Sequence, residues 1–278
     1  MRSSAITLLL LLVTITVQAQ QITAPAQQEA PDLNAGYRDM YNLQFDTAHQ
    51  FFQTWQKLHP QDPLGPVSDA AAYLFAEFDR MHVLESELFT DDSAFEHRAK
   101  LAPDPQVKSA FESQLGSAQQ LADKVLAKDP NNADALFAKV MCLGLRGDYA
   151  ALVEKRDLAG LSYMKSGRAI AEKLLTIHPN YYDAYLAVGV ENYLLSLKPA
   201  PMRWMLRITG AETDKELGLQ KLAITAEKGH YMLPYARLLL AVAALRSKDR
   251  PRAESLLAGL AHEFPMNHLY VKELAKLQ

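Results

Sequence analysis

The sequence predicts an all-α protein built as an irregular array of helical hairpins. A proline cannot continue a helix, and four helix-like segments each stop at one, namely Pro60, Pro130, Pro179 and Pro265. Between these stops apolar residues recur at helical spacing. This context outweighs the strand propensity of short runs such as Tyr181-Tyr182. Recurrent helix stops of this kind are typical of repeat proteins.

The N-terminal residues predict that the chain is exported. Arg2 precedes an apolar run over residues 5–17, and small or branched residues over 17–19 match a signal-peptidase site. Residues 1–19 are therefore predicted to be a signal peptide cleaved after Ala19. The alternative is an uncleaved anchor, but the run is short for a membrane span of about 20 residues. We expect the mature chain in the periplasm or outside the cell.

The remaining chain divides into a short linker and one predicted helical domain. Residues 20–31 are rich in Gln, Ala and Pro without an apolar period, which predicts a disordered linker. Residues 32–278 are predicted to form the helical-repeat domain. No stretch in them is long and apolar enough to suggest a membrane span.

The first hairpin is predicted from the spacing of small and large residues. Gly36 lies in its first helix and Ala48 and Phe52 in its second, with Pro60 at the end and the turn over residues 42–46. Small residues are needed where two helices cross closely.

Two longer helices are predicted next, one from Ser68 to Phe89 and one from Pro105 to Lys128. Pro105 is placed in the first turn, where its missing N–H costs nothing.

The residue spacing in the middle of the chain predicts a hairpin whose second helix is longer than usual. A helix opening near Ala135 is expected to end at Gly147-Asp148-Tyr149, with Gly147 as the left-handed cap. A single long helix from Tyr149 to Ile177 is expected to follow. The spacing from Pro130 to Pro179 is 49 residues, against about 34 for a regular repeat of this kind.

The last part predicts an insertion and a final hairpin. A helix beginning at Tyr182 is expected to end before an aromatic and basic insert over residues 198–212. Thr213 to Glu216 reads as a capping box for a helix to about Lys228. A hairpin turning near residues 248–251 follows, and a last helix over 268–277 is expected to cover the exposed end of the array.

These turn and stop residues resemble those of tetratricopeptide-repeat proteins. The part from about Ala133 onwards is similar to exported bacterial tetratricopeptide-like proteins, through Tyr182-Asp183-Ala184, Gly189 with Tyr193 and Asp214-Lys215-Glu216-Leu217-Gly218-Leu219. A fainter similarity runs to the eukaryotic inclusion-body-clearance relatives. The resemblance implies a right-handed superhelix of antiparallel helix hairpins with a scaffold or binding role. It implies no catalytic residues.

Two groups of residues are predicted as partner-binding sites. Tyrosines spaced along one helix face form the first group: Tyr182, Tyr185 and Tyr193. Residues of the insert form the second: Arg203, Trp204 and Arg207. The alternative for the tyrosines is packing against the long neighbouring helix, with Gly189 allowing close approach. The alternatives for the insert are a lid, a peripheral membrane contact or a structural cap.

The sequence offers no pattern for a catalytic, metal or cofactor site. The single cysteine, Cys142, lies in an apolar run and reads as buried, and the eight histidines show no ligand spacing. Without Arg2 the chain carries 28 basic against 32 acidic residues, which gives no electrostatic case for nucleic acid. We therefore expect a protein that is not an enzyme and that takes no cofactor.

Two functional hypotheses remain. The first is an exported scaffold or adaptor whose concave side, lined by the first helix of each pair, grips a protein or peptide. The second is a small-molecule or lipid binder, or a weak enzyme, with a pocket between the long helix and the insert. The partner's identity and the oligomeric state stay open.

Overall fold

Every regular element in the described part of the chain is a helix. The computed structural model describes residues 32–83, 102–198 and 213–277, together with residues 93, 97, 208, 210 and 211. The prediction of an all-α protein is confirmed for these residues. The predicted signal peptide and linker lie outside them.

Eleven helices span the described ranges, joined at two points by a turn of another helical type. A π-helical turn covers Tyr149–Val153 and a 3₁₀ turn covers Tyr182–Ala184. The helices are α1 (Leu33–Tyr41), α2 (Phe45–Leu58), α3 (Leu64–Arg80), α4 (Pro105–Leu126), α5 (Ala133–Asp148), α6 (Asp157–Ile177), α7 (Tyr185–Ser196), α8 (Lys215–Lys228), α9 (Leu233–Arg246), α10 (Arg250–Glu263) and α11 (His268–Ala275).

The proline stops are confirmed. Each of the four prolines lies in a turn directly after a helix. Before three of them the chain has the same conformation, with φ of −125° at His59, −127° at His178 and −123° at Phe264. A following proline disfavours helical backbone at the preceding residue, so the shared conformation has a local cause.

Each helix packs against the next along the chain, and α1 and α5 also pack against α3. In the first pair a Cβ atom at Gly36 would collide with the ring of Phe52, and Ala48 and Phe52 are fully buried. The predicted small-to-large contact between α1 and α2 is therefore confirmed.

The predicted long helix from Tyr149 to Ile177 is wrong at its start. Residues 147 and 148 are still helical, the π turn follows, and α6 begins only at Asp157. The left-handed position belongs to Lys155, with φ of 55°. Gly147 lies instead in the contact between α5 and α6, where a Cβ at Gly160 would be 3.2 Å from the Gly147 carbonyl oxygen.

Two other helix starts differ from their predictions. Helix α3 begins at Leu64 rather than Ser68, since Pro66 falls in the first turn, where it removes no helical hydrogen bond. It ends at Arg80, and residues 84–89 lie outside the described ranges. Helix α8 is capped by Asp214, whose side chain accepts from the Leu217 N–H, rather than by Thr213.

The sequence predicted that the last helix covers an exposed end of the array, and this prediction is wrong. The turn before α11 contacts α1 directly: the Asn267 side chain donates to the Tyr41 carbonyl, 226 residues away along the chain. A single core cluster includes residues from Leu33 to Tyr270. First and last helices therefore meet.

Candidate ligand-binding site

Two of the predicted tyrosines, both half-buried, meet lysines of α8: Tyr185 begins α7 and Tyr182 lies in the 3₁₀ turn before it. The Lys221 Nζ lies 5.0 Å from the ring centroid of Tyr185, and the Lys228 Nζ lies 5.7 Å from that of Tyr182. Ammonium groups over aromatic rings are weakly attracted to them. We name these four residues the tyrosine–lysine surface.

The third predicted tyrosine, Tyr193, is only 4% exposed. It lies where α7 and α8 touch backbone to backbone, because a Cβ at Gly218 would be 2.5 Å from the Tyr193 nitrogen. Gly189 lies in the same contact, 3.0 Å from the Gly218 carbonyl oxygen by the same measure. The expectation that Gly189 allows close approach to the helix ending at Ile177 is therefore wrong, since its neighbour is α8.

The predicted insert residues Arg203, Trp204 and Arg207 lie outside the described residues. The end of the insert is anchored to α6, because Arg168 Nη2 donates to the Gly210 carbonyl at 3.0 Å. The same guanidinium lies 3.1 Å from a carboxylate oxygen of Glu191, which is fully buried on α7.

The structure assembles a different group of aromatic rings where the first and last helices meet. We name this contact the seam: α1 and α3 on one side, and residues 231–275, which include α9 to α11, on the other. Tyr37 stacks on Tyr231 with ring centroids 4.8 Å apart, and Phe75 meets Tyr235 edge-on at 5.5 Å. Sequence reasoning missed these rings because helical spacing only groups residues on one helix.

Three hydrogen bonds, which we name the clasp, join the two sides of the seam. The Tyr41 hydroxyl donates to the Tyr231 carbonyl at 3.0 Å, and the Asn267 amide donates to the Tyr41 carbonyl at 2.8 Å. The Met266 N–H donates to the Asn42 side-chain oxygen at 3.2 Å. Each bond uses at least one side chain, so no strand-like or helix-like backbone pairing closes the seam.

A buried carboxylate sets the start of α9, which carries one side of the seam. Asp183 is 3% exposed. Its oxygens accept from the backbone N–H groups of His230 and Met232 at 2.9 Å and of Tyr231 at 3.1 Å. Burial raises the pKa of Asp183, and these three bonds oppose the rise. Charge-assisted bonds of this kind are roughly twice as strong as neutral ones.

An apolar cavity of about 90 Å³ borders the seam. Most of its lining comes from α7 and α9, including Val190, Leu194, Leu238 and Val242, and Phe78 of α3 and Leu152 of the π turn also line it. The charged lining residues are Arg246 and Glu273, and Glu273 pairs with Lys276 at 2.9 Å. A smaller cavity of about 20 Å³ lies between Tyr41 and Tyr270.

Burial raises the pKa of several titratable groups near the interior. Burial raises the pKa of Asp148, the last residue of α5, to about 7. Burial and the charge of Asp148 raise the pKa of Tyr235 well above its ordinary value. Burial also raises the pKa of Tyr41, so its hydroxyl stays a donor in the clasp.

Other polar groups of the described residues form buried contacts. His49 Nδ1 lies 2.5 Å from Asp69 Oδ1, a fully buried carboxylate, and the His49 ring packs on Tyr73 at 3.9 Å. Burial raises the pKa of Cys142 to about 12, so its thiol is unreactive near neutral pH. No group of three His, Cys, Asp or Glu side chains that could hold a metal ion occurs in the described ranges.

Neither family models nor curated proteins match the chain. Among residues 32–83, 102–198 and 213–277, no helix combines the length and apolar character needed to cross a bilayer. What defines the candidate site is therefore its geometry: an apolar cavity beside the contact between the first and last described helices.

Proposed function

We propose that the protein is an exported, non-enzymatic binding protein that takes a small apolar molecule, or the apolar chain of a lipid, into its interior cavity. The observation that carries this proposal is the cavity of about 90 Å³ that borders the seam. Empty cavities lined by apolar side chains stay dry and accept apolar guests.

The size of the cavity limits its ligand. An apolar cavity of about 150 Å³ in another protein holds benzene or xenon, so this one suits a group of a few carbon atoms. Each buried methylene contributes about 0.8 kcal/mol.

The filled interior favours this proposal over a groove that grips a peptide. The rings of Tyr37, Tyr231, Phe75 and Tyr235 occupy the space between the first and last helices. An extended peptide there would have to displace them. The proposed superhelix of antiparallel hairpins, implied by the tetratricopeptide resemblance, would then be a closed container rather than an open cradle.

A titration with benzene, followed by short alkanes and alkyl carboxylates, tests the proposal on the mature protein with ¹³C-labelled Leu and Val methyl groups. We expect saturable shifts concentrated on Val190, Leu238 and Val242. Shifts that are absent, or that spread evenly over the protein, would contradict a binding cavity.

A matched pair of variants locates the site. Val242→Phe fills part of the cavity and should abolish the benzene shifts. Val125→Phe makes the same change at a half-buried position of α4, away from the cavity, and should keep them. Thermal denaturation checks that both variants fold.

A second candidate function is a protein adaptor that uses the tyrosine–lysine surface. Two half-buried tyrosines beside two lysines offer large apolar area with polar tips, which is typical of protein interfaces. The predicted residues Arg203, Trp204 and Arg207 would belong to the same proposal.

Crosslinking pull-down from envelope extract tests the adaptor proposal. A partner that the wild type captures and Tyr185→Ala loses would support it. Tyr163→Ala, which changes a tyrosine of α6 outside the tyrosine–lysine surface, should retain the partner. Capture that ignores Tyr185 would contradict it.

A further inference from the structure

We infer that the seam opens without global unfolding when the clasp bonds break, and that this opening admits the ligand to the cavity. The inference rests on the proposed function for the identity of what enters. The opening itself is a property of the fold and is tested separately below.

The position of the cavities is the first argument. The larger cavity has Phe78 and Leu152 on one side and residues of α7 and α9 on the other. The smaller one has Tyr41 and Phe75 on one side and Leu269 and Tyr270 on the other. Phe78 therefore forms the wall of the larger cavity that belongs to the α3 side of the seam, and the smaller cavity lies within the seam, so separating α1 and α3 from residues 231–275 would open both.

The way the two sides are joined is the second argument. Helices α7 and α8, which are neighbours along the chain, pack backbone to backbone at Gly189 and Gly218. At the seam the joining contacts are side-chain hydrogen bonds and rings, with the clasp centred on Tyr41. Opening has to break the clasp bonds and to part ring contacts such as Tyr37–Tyr231 and Phe75–Tyr235. It keeps the contacts between consecutive helices, so it costs less free energy than global unfolding.

The chain connectivity is the third argument. Helices α4 to α8 connect one side of the seam to the other through consecutive contacts. The seam can therefore open while those contacts are kept. Such sub-global openings occur at free energies below that of complete unfolding.

Thiol labelling tests the opening without any ligand. Leu269 is 6% exposed in the seam, and Leu174 is fully buried on α6, outside it. The native Cys142, also fully buried, reports global unfolding within the same molecule. We expect a maleimide to label Leu269→Cys at least about tenfold faster than Cys142. In the Leu174→Cys variant both thiols should react at one slow rate.

Benzene exchange tests the link between opening and entry. Tyr41→Phe removes the hydroxyl bond to Tyr231, and Tyr181→Phe removes a comparable 2.9 Å bond to Asp134 between neighbouring segments. Methyl exchange spectroscopy should show about fivefold faster benzene exchange in Tyr41→Phe, the factor that corresponds to about 1 kcal/mol. Tyr181→Phe should exchange at the wild-type rate.

The outcomes separate the two proposals. Fast labelling at position 269 without any benzene shift would support the opening of the seam and contradict the proposed binding function. Benzene binding combined with equal labelling rates at positions 269 and 142 would contradict the opening of the seam. Equal exchange in Tyr41→Phe and Tyr181→Phe would overturn the seam as the route of entry.

Discussion

The contact between α7 and α8 and the seam join helices in opposite ways. At the first, two glycines bring the backbones together, so that a Cβ at Gly218 would lie 2.5 Å from the Tyr193 nitrogen. At the second, tyrosine and asparagine side chains reach across to carbonyls. The difference teaches that contact between neighbours fixes the array, while the seam only closes it.

The largest expected effect is on the glycine contact. Gly218→Ala places a methyl group against backbone atoms that cannot move aside, so we expect a loss of about 3 kcal/mol in the free energy of unfolding. Gly144→Ala is the control, because nothing lies within 4 Å of its Cβ position. In a helix interior that change should stabilise by about 0.5–1 kcal/mol. Denaturant unfolding measures both free energies. A small loss with Gly218→Ala would contradict the difference between the α7–α8 contact and the seam.

The next effect concerns the carboxylate that sets the start of α9. Asp183→Ala leaves three buried backbone N–H groups without their acceptor, which should cost about 2–3 kcal/mol. Asp214→Ala removes one ordinary N-cap bond on α8 and should cost about 1 kcal/mol. If the two variants unfold at equal denaturant concentrations, Asp183 has no special role.

The effect of Asp148 on the free energy of unfolding should depend on pH. Burial raises the pKa of Asp148 to about 7 in the folded protein, above its unfolded value near 4. Ionisation therefore costs stability above pH 7, and the cost fades as the pH falls towards 4. Asp148→Asn should raise the unfolding free energy by up to about 2 kcal/mol at pH 8, and by less at pH 5. A gain that does not change with pH would refute the assignment.

The smallest expected effect is at the seam. Tyr41→Phe loses one hydroxyl bond but keeps the ring contact with Phe264 at 5.5 Å. We expect the free energy of unfolding to fall by only about 1 kcal/mol. A much larger loss in thermal or denaturant unfolding would mean that the seam holds the array together, and would remove the contrast with the glycine contact.

Local signals in the sequence predicted the helices well. The proline stops, Asp104 before Pro105 and the Gly36–Phe52 spacing each act within one helix or one pair, so the printed residues suffice. The error at Gly147 has a physical cause: glycine serves both left-handed turns and close helix packing, and the sequence alone does not separate these uses.

The seam could not be predicted, because it joins residues 190 or more positions apart. One signal did point to it. Helix α9 reads Leu-Pro-Tyr-Ala-Arg-Leu-Leu-Leu-Ala-Val-Ala-Ala-Leu-Arg, which is apolar on nearly all sides, as in a helix surrounded by protein. A surface helix of an open array would show a polar face. Of the tyrosines chosen from spacing, Tyr182 and Tyr185 contact lysines of α8 and take no part in the clasp bonds.

The exchange of benzene in a protein locked across the seam tests the account most directly. Asn42→Cys with Met266→Cys places two thiols where a clasp bond of 3.2 Å now joins these residues. We expect an intramolecular disulfide in the folded protein, and benzene exchange at least about tenfold slower in the oxidised than in the reduced form. Failure to form the disulfide, or equal exchange rates in both forms, would contradict a closed array that opens at its seam.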